Sequence, residues 1–301
     1  MTSRRDINKK IRNSGIFIVF VVPALFIWFT VIMIPFFYGI GITFTDWNGL
    51  SMDVNFAGLQ NYQKVFTDSN FFDAFLKTVI YVIFSVIFSN LVGFSLALFV
   101  TGGIKGQGLF RTGFFTPNII GGIILGYIWN FIFSYALTGL GKSLGISWLS
   151  TSWLTDPDKA LAALIIVTAW QMSGYLMVIY IAGLTNVPKE LMEAAAIDGA
   201  NIWQVIKNIK VPLIKNSITI CIFLAIIRTF MSFDLNLSLT AGGPYKSTEL
   251  IAYKIYQTAF TSMDFGVGQA EAIVLFLIVA VISLLQVYFT RKGASASDEK
   301  K

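Results

Sequence analysis

Long stretches without a charged residue alternate with short polar segments along this chain of 301 residues. Uncharged stretches occupy 16–42, 78–101, 112–141, 160–187 and 272–290, and a further apolar stretch at 216–239 has Arg228 and Asp234 as its only charged residues. Each stretch is long enough to cross the hydrocarbon core of a bilayer, which requires about 20 apolar residues. Because every backbone polar group needs a partner within lipid, the pattern predicts an all-α integral membrane protein with six transmembrane helices.

The longest polar segment between two of these stretches, 188–212, has the pattern of a helix, a tight turn and a second helix. Pro188 suits the first turn of a helix, and the alanine-rich sequence that follows favours helix. Asp198 and Gly199 indicate the end of that helix, since glycine accepts the left-handed backbone conformation found there. Pro212 is predicted to end the second helix, whose apolar face consists of Ile202, Val205, Ile206 and Ile209.

Two interpretations of this segment remain open on residue type alone. One is an ordinary amphipathic connection between two spans. The other is a docking element, because small alanine side chains allow another surface to approach the helix backbone closely and to receive the helix in a groove.

The composition agrees with a membrane protein, since 13% of the residues are charged, against about 25% in soluble domains. Of the Lys and Arg residues, 15 fall on the side of the N-terminus and 6 on the other side, with Arg228 inside a span. Lysine and arginine accumulate in cytoplasmic loops, so both termini and the segment 188–212 are predicted to be cytoplasmic. The net charge of +6 follows from this bias, and no nucleic-acid partner is expected.

Residue types that many catalytic and metal sites require are scarce in this chain. It has no histidine and one cysteine, Cys221, which excludes an intrachain disulfide and a histidine-based metal site. Cys221 lies in a predicted span, where a buried structural thiol is expected. No phosphate loop of the G-x-x-x-x-G-K-[ST] type occurs, so ATP is not expected to bind here. The first apolar stretch is too long for the core of a cleaved signal peptide.

Polar side chains within two predicted spans indicate where a solute could pass, because such side chains are expensive in a membrane and usually functional. The fourth span contains Gln171 and Tyr175, and the fifth contains Arg228, Ser232, Phe233, Asp234 and Asn236. The presence of any one serine or threonine in a span is more simply explained by a hydrogen bond from its hydroxyl group to the backbone of its own helix. For Arg228, two roles are equally supported: lining the path of the solute, and pairing with another group of the protein for structural reasons. Arg228 and Asn236 have no evident partner nearby in the sequence.

The segment 188–212 resembles the EAA loop of binding-protein-dependent ABC importer permeases, which has the pattern E-A-A-x-x-D-G-A followed by a later I-x-x-P. The matching residues are Glu193, Ala194, Ala195, Asp198, Gly199, Ala200, Ile209 and Pro212. In that family the loop is a coupling helix that docks on the cytoplasmic ATPase subunit, so the resemblance implies this role for the same residues. One departure lies just beyond the motif, where the family often has a second proline and this chain has Asn216.

Further signatures are similar to those of the carbohydrate-type members of the family. The F-T-D-W-N-G and F-x-G-L-x-N-Y patterns are matched by Thr45, Asp46, Trp47, Asn48, Gly58, Leu59, Asn61 and Tyr62. The L-T-x-G-G-P pattern is matched by Leu239, Thr240, Gly242, Gly243 and Pro244. In maltose-type importers the solute lies among residues of the fourth and fifth spans, which implies a cavity from Gln171–Tyr175 to Arg228–Asn236. Aromatic rings there are expected to stack on sugar faces, and amide and guanidinium groups to bond hydroxyls.

The resemblance covers nearly the whole chain and implies a permease subunit that forms half of the path for a sugar or oligosaccharide in an ATP-driven importer. The implied partners are a second permease, two ATPase subunits that bind ATP and Mg²⁺, an extracellular solute-binding protein and membrane lipid. The chain itself is expected to bind no cofactor or metal and to catalyse no reaction. The expected divisions are a cytoplasmic segment at 1–15, a six-span permease domain at 16–290 that includes the coupling loop at 188–212, and a cytoplasmic tail at 291–301 that is expected to be disordered from residue 293.

Two other classes of membrane protein predict different features. A secondary transporter would show inverted repeats and interrupted helices, and no internal repeat is evident in the sequence. A membrane-embedded enzyme would need catalytic side chains gathered near an interface, whereas the carboxylates here are scattered. Binding of an ATPase subunit distinguishes the importer permease from both.

Overall fold

The computed structural model describes residues 17–51 and 53–298, with side chains described through residue 290. Most of these residues are helical, and the β-type pairing among them is an isolated bridge between Thr45 and Phe56. The helices in chain order are α1 Phe17–Ile42, α2 Gln60–Thr67, α3 Ser69–Thr101, α4 Gln107–Ile119, α5 Gly122–Leu144, α6 Pro157–Leu184, α7 Lys189–Ile197, α8 Ile202–Leu213, α9 Lys215–Phe230, α10 Asp234–Leu239, α11 Ile251–Tyr256 and α12 Phe265–Asp298.

Five of the described helices, α1, α3, α5, α6 and α12, are long and apolar enough to cross a membrane. A sixth apolar helix, α9, meets α8 at a bend of 76° and brings the number of candidate spans to as many as six. The predicted all-α membrane fold is therefore confirmed. The segment predicted at 1–15 lies outside the described residues. The helix α12 continues to Asp298, although the tail was predicted to be disordered from residue 293.

The described residues group into two compact units. The first contains α1, α2 and the start of α12, and the second contains the other helices and the rest of α12. The first unit consists of the described part of Met1–Thr67 together with Gln257–Ile273. The second consists of Asp68–Tyr256 together with the described part of Val274–Lys301.

In the first unit, two residues of the F-T-D-W-N-G and F-x-G-L-x-N-Y patterns make contacts within the protein. Asn61 donates to the carbonyl oxygens of Thr43 and Thr45 at 2.9 and 2.7 Å. The ring of Trp47 packs against Phe265, with 5.3 Å between the ring centroids. These contacts hold the segment between α1 and α2 in a defined conformation.

The core of the second unit forms where α3 packs along α6. A Cβ atom on Gly93 would lie 2.9 Å from the carbonyl oxygen of Ser173, so only glycine allows this approach of the two helices. The buried side chains of Leu176 and Met177 lie in the same cluster as the thiol of Cys221. The predicted buried position of Cys221 is therefore confirmed.

Acidic residues determine where two of the long helices begin. Asp68 accepts from the backbone N–H of Asn70 at 2.9 Å before α3, and Asp156 accepts from two backbone N–H groups at 3.1 and 3.2 Å before α6. Each carboxylate thereby satisfies donors that the first helical turn leaves without a partner. Burial acts to raise the pKa of Asp68, but the hydrogen bonds from Asn70 and Lys254 outweigh it and lower the pKa.

Two of the predicted spans are interrupted. The third, predicted at 112–141, consists of α4, a break at Ile120 and Gly121, and α5. The fifth, predicted at 216–239, consists of α9, a break at 231–233 and the short α10. Pro117 and Gly121 accompany the first break. The second break contains neither proline nor glycine, which is why the sequence pattern suggested one continuous helix.

The turn between α10 and α11 (240–250), here called the outer turn after the side of the membrane that the sequence predicts for it, is organised around Asn236. This side chain is 0% exposed. Its amide nitrogen donates to the Thr248 carbonyl oxygen at 2.8 Å and to Thr240 Oγ1 at 3.0 Å, and its oxygen accepts from the Leu250 N–H at 3.1 Å. The expectation that Asn236 has no local partner is therefore wrong. A buried amide with its bonds satisfied by the protein instead stabilises the turn.

Replacing Asn236 with alanine should destabilise the protein, because the Thr248 carbonyl and the Leu250 N–H would lose their partner. An unsatisfied buried group costs about 1–3 kcal/mol. We expect the melting temperature of the purified protein in detergent, followed by intrinsic fluorescence, to fall by several degrees. Asn216→Ala is the matched control, since Asn216 is exposed. Equal melting temperatures for the two variants would contradict the structural role of Asn236.

Candidate functional site

The turn between α7 and α8 has a geometry that requires glycine. Gly199 has φ +70°, in the left-handed region that other residues enter only with strain. The Gly199 N–H donates to the Ala196 carbonyl at 3.2 Å, and the Ala200 N–H donates to the Ala195 carbonyl at 2.9 Å. This is the Schellman arrangement that closes a helix. The predicted helix stop at Asp198 and Gly199 is confirmed.

The following helix, α8, begins with a capping box. The Asn201 side chain accepts from the Gln204 N–H at 2.9 Å, and the Gln204 side chain accepts from the Asn201 N–H at 2.7 Å. The N-x-x-Q spacing is a known signal for a helix start, and the sequence prediction missed it. The helix contains a π-type turn at Ile206–Lys210 and ends at Leu213, one residue after the predicted end at Pro212.

The surface beside this turn is apolar and exposed. Ile197, Ile202 and Trp203 are 87%, 70% and 75% exposed. Of the predicted coupling residues, Ala195 is buried, and the exposed or partly exposed ones are Glu193, Ala194, Asp198, Gly199, Ala200 and Pro212. Three large apolar side chains so exposed within seven residues are consistent with a surface that a partner covers.

The two interrupted spans meet side by side. A Cβ atom on Gly122, at the start of α5, would lie 2.8 Å from the Cβ of Asp234, at the start of α10. Ser238 Oγ donates to the Gly122 carbonyl at 3.3 Å. The absence of a side chain at Gly122 permits this approach. Two segments of non-helical backbone, 120–121 and 231–233, therefore lie in one region of the second unit.

Side chains from α6 and α9 bind the end of α4 at the first break. Gln171 Nε2 donates to the Ile120 carbonyl at 3.0 Å. Arg228 Nη1 donates to Asn118 Oδ1 at 3.0 Å, and the guanidinium carbon lies 5.0 Å from the centroid of the Tyr175 ring. Arg228 thus combines a charge-assisted hydrogen bond with a cation–π contact while it remains exposed.

The second break has polar and aromatic neighbours. Ser232 Oγ accepts from the Tyr81 hydroxyl at 3.2 Å. The ring of Phe233 packs against Tyr256, with 5.0 Å between the centroids. Ser232 and Phe233 are partly exposed, and Asp234 is exposed at the start of α10. The break therefore presents a hydroxyl, an aromatic ring and a carboxylate in succession.

These residues lie well inside the spans. Arg228 is about 20 Å along α9 from Lys215, and Gln171 is about 20 Å along α6 from Leu184, at a rise of 1.5 Å per residue. The hydrocarbon core of a bilayer is about 30 Å thick. Irregular backbone at such a depth is stable only where it is buried in protein or lines a water-filled cavity.

The structure brings most of the predicted path residues to the two breaks. Those at the first break are Gln171, Tyr175 and Arg228, and those at the second are Ser232, Phe233 and Asp234. Asn236 is separated from them because it is buried under the outer turn. The sequence prediction missed Asn118, although a polar residue beside proline and glycines in an apolar stretch is a signal of an interrupted span.

A separate recess of 660 Å³ lies between α3 and α6. Its lining is apolar, with Phe84, Phe88 and Ile165 among its residues, and Asp158 is its one charged residue. Polar groups without hydrogen-bond partners are unfavourable in such surroundings. The recess is therefore unsuited to a solute with many hydroxyl groups.

Comparison with known proteins identifies the family of the chain. Residues 89–293 match the family described as "Binding-protein-dependent transport system inner membrane component". The probable starch degradation products transport system permease protein AmyD of Thermoanaerobacterium thermosulfurigenes is 44% identical over 94% of this chain and 97% of that protein. The multiple sugar-binding transport system permease protein MsmF of Streptococcus mutans is 32% identical over 97% of this chain and 99% of that protein.

A solved structure shows the same fold. A chain of a bacterial ABC transporter involved in the import of the acidic polysaccharide alginate superposes with a TM-score of 0.81, covering 95% of this chain and 99% of that chain at 18% identity. The region matched to the family includes both breaks and the turn at Gly199. The chain therefore belongs to the binding-protein-dependent transport system inner membrane components, and it is a multi-pass permease subunit of an ABC importer.

Proposed function

We propose that this permease forms half of the translocation path for a sugar or oligosaccharide that an extracellular solute-binding protein delivers. The observation that supports this most directly is the meeting of the two interrupted spans, because amide, guanidinium, carboxylate and aromatic groups lie there within the spans. Hydroxylated rings need hydrogen-bonding groups at their edges and apolar surfaces at their faces. The names of the two relatives, one for starch degradation products and one for multiple sugars, support carbohydrate as the solute class.

The proposed path contains donors, acceptors and aromatic surfaces. Arg228 has five N–H donors, and its bond to Asn118 uses one of them, so others are available to solute hydroxyls. Asp234 supplies carboxylate acceptors beside the second break. Further contacts are proposed for Gln171, Tyr175, Ser232 and Phe233, and Asn236 is left out because it is buried.

Several partners complete the proposed transporter. A second, similar permease supplies the other half of the path. Two ATPase subunits bind ATP and Mg²⁺, since this chain has no phosphate loop. Lipid surrounds the spans, and no cofactor, metal or nucleic acid is assigned to this chain. Both termini and the coupling loop (188–212) face the cytoplasm in this arrangement.

The proposed mechanism is alternating access. Closure of the ATPase subunits on ATP moves the coupling loop, which docks through the exposed side chains of Ile197, Ile202 and Trp203. The second helix of this loop, α8, joins α9 at a bend of 76°. Movement of the loop is therefore transmitted to the helix that contains Arg228. The breaks allow the adjoining helices to change their angle as hinges do.

Adding bulk at Gly199 should uncouple the permease from its ATPase. Valine at φ +70° is strained by roughly 1–2 kcal/mol, and its side chain would project into space that is open in this subunit. We expect Gly199→Val to insert into the membrane but to lose ATPase binding in a pull-down and solute-stimulated ATP hydrolysis after reconstitution. Glu193→Ala should have a milder effect, because an exposed ion pair contributes about 0–1 kcal/mol.

The matched control for this experiment is Gly145→Val. Gly145 has φ +68° and equally open surroundings, but it follows α5 on the proposed outer side. This variant should retain ATPase binding. Normal stimulation in Gly199→Val would remove the loop from the coupling role, and equal loss in both variants would indicate general backbone strain.

Removing the guanidinium group of Arg228 should slow transport while the complex still assembles. A hydrogen bond to a charged group contributes about 1.5–3 kcal/mol, so we expect Arg228→Ala to lower the initial rate of uptake into proteoliposomes at least about tenfold. Arg111→Ala removes an exposed arginine away from both breaks and should transport normally. A normal rate in Arg228→Ala would show that Arg228 does not line the path.

The proposed orientation can be tested by cysteine labelling in a Cys221→Ala background. Because positive charges accumulate on the cytoplasmic side, Ser295→Cys should react with a membrane-impermeant thiol reagent only after the cells are opened. Ser51→Cys, in the segment between α1 and α2, should react in intact cells. Labelling of the Ser295 variant in intact cells would reverse the orientation.

A further inference from the structure

The outer turn presents one aromatic side chain almost completely to its surroundings. Tyr245 is 94% exposed, more than any other large hydrophobic side chain among the described residues. Its ring therefore contributes little to the packing of this subunit. A tyrosine in such a position is available for contact with another molecule.

The backbone that presents Tyr245 is strained and firmly held. Tyr245 and Lys246 have φ values of 51° and 60°, a left-handed conformation that residues with a Cβ atom disfavour. Thr248 Oγ1 donates to a carbonyl oxygen of the turn at 2.6 Å, and Lys77 Nζ donates to the Lys246 carbonyl at 2.9 Å. The buried amide of Asn236 binds the same turn. Strained backbone that the surrounding structure maintains in this way is typical of functional positions.

The outer turn is continuous with the proposed path. A Cβ atom on Gly242 would lie 3.0 Å from the Tyr253 ring. The Tyr253 ring stacks on Phe233, with 6.4 Å between the centroids, and Phe233 precedes Asp234 at the second break. Phe233 also contacts Tyr256, which is 37% exposed. The turn therefore lies against the aromatic cluster that borders this break.

We propose that Tyr245 is a stacking platform for a sugar ring at the outer entrance of the path. This inference rests on the proposed function and orientation. One face of a pyranose ring consists mainly of C–H groups, which pack on an aromatic ring while the hydroxyl groups remain hydrated. Because the turn is already ordered, binding of a solute with a defined shape loses little conformational freedom.

Two other molecules that Tyr245 could contact, membrane lipid and a folded protein, agree less well with these observations. A fluid bilayer accepts an interfacial tyrosine in many conformations, so a fixed left-handed turn has no use there. A docking surface for a folded protein buries about 800 Å² on each partner, which is much more than one ring on a narrow turn provides. Neither lipid nor a folded protein accounts for the contact between the outer turn and the aromatic cluster.

The test compares Tyr245→Phe with Tyr245→Leu in the reconstituted complex of permeases, ATPase subunits and solute-binding protein. Uptake of radiolabelled maltotriose, trehalose and diacetylchitobiose into proteoliposomes is measured against the concentration of loaded binding protein. Phenylalanine retains the aromatic ring, whereas leucine retains only apolar bulk. We expect leucine to lower the maximal uptake rate about fivefold, equivalent to about 1 kcal/mol, and phenylalanine to change it less than about twofold.

The half-saturating concentration of binding protein and the solute-free rate of ATP hydrolysis should be unchanged in both variants. An unchanged maximal rate in Tyr245→Leu overturns the proposal, because apolar bulk then suffices. A raised half-saturating concentration with an unchanged maximal rate overturns it in favour of protein docking. If the unmodified transporter takes up none of the three saccharides, the proposed function fails together with the stacking role. That result is seen without any variant, so the two failures are distinguishable.

Discussion

Inside a bilayer every backbone N–H and C=O group must find a partner in the protein, and this constraint governs the two interrupted spans of the permease. At the first break the Ile120 carbonyl receives the amide of Gln171 at 3.0 Å. Beyond the second break Asn236 binds the carbonyl of Thr248 and the N–H of Leu250. A side chain thus replaces a helix hydrogen bond at the first break, and Asn236 satisfies backbone groups of the outer turn that follows the second interrupted span.

The coupling loop is stabilised in a different way. Its turn depends on neighbours in the sequence, through the Schellman bonds of Gly199 and Ala200 and the capping box of Asn201 and Gln204. A turn built from local bonds keeps its shape when it moves. The bonds at the first break join α4 to α6 and α9, so they can be exchanged when these helices shift. A rigid loop connected to a deformable region is what the proposed mechanism requires.

Exposed apolar side chains mark two regions of the subunit where partners are proposed. Ile197 is 87% exposed beside the coupling turn, and Tyr245 is 94% exposed on the outer turn. Both side chains are presented by turns that several hydrogen bonds close, so a partner would meet an ordered surface. The cost of ordering these turns is met during folding of the subunit, which favours later binding.

The sequence by itself determined the membrane class, the approximate positions of six spans, the family and the geometry at Gly199, because hydropathy and turn signals act between residues close in the chain. Of the seven path residues that the sequence predicted, six lie beside the breaks, and the seventh, Asn236, is buried. Only the tertiary structure decided the break at 231–233, the bond between Arg228 and Asn118 across 110 residues, and the burial of Asn236. These features depend on which helices pack together, and residue type alone does not specify the neighbour that a polar side chain meets across a helix interface.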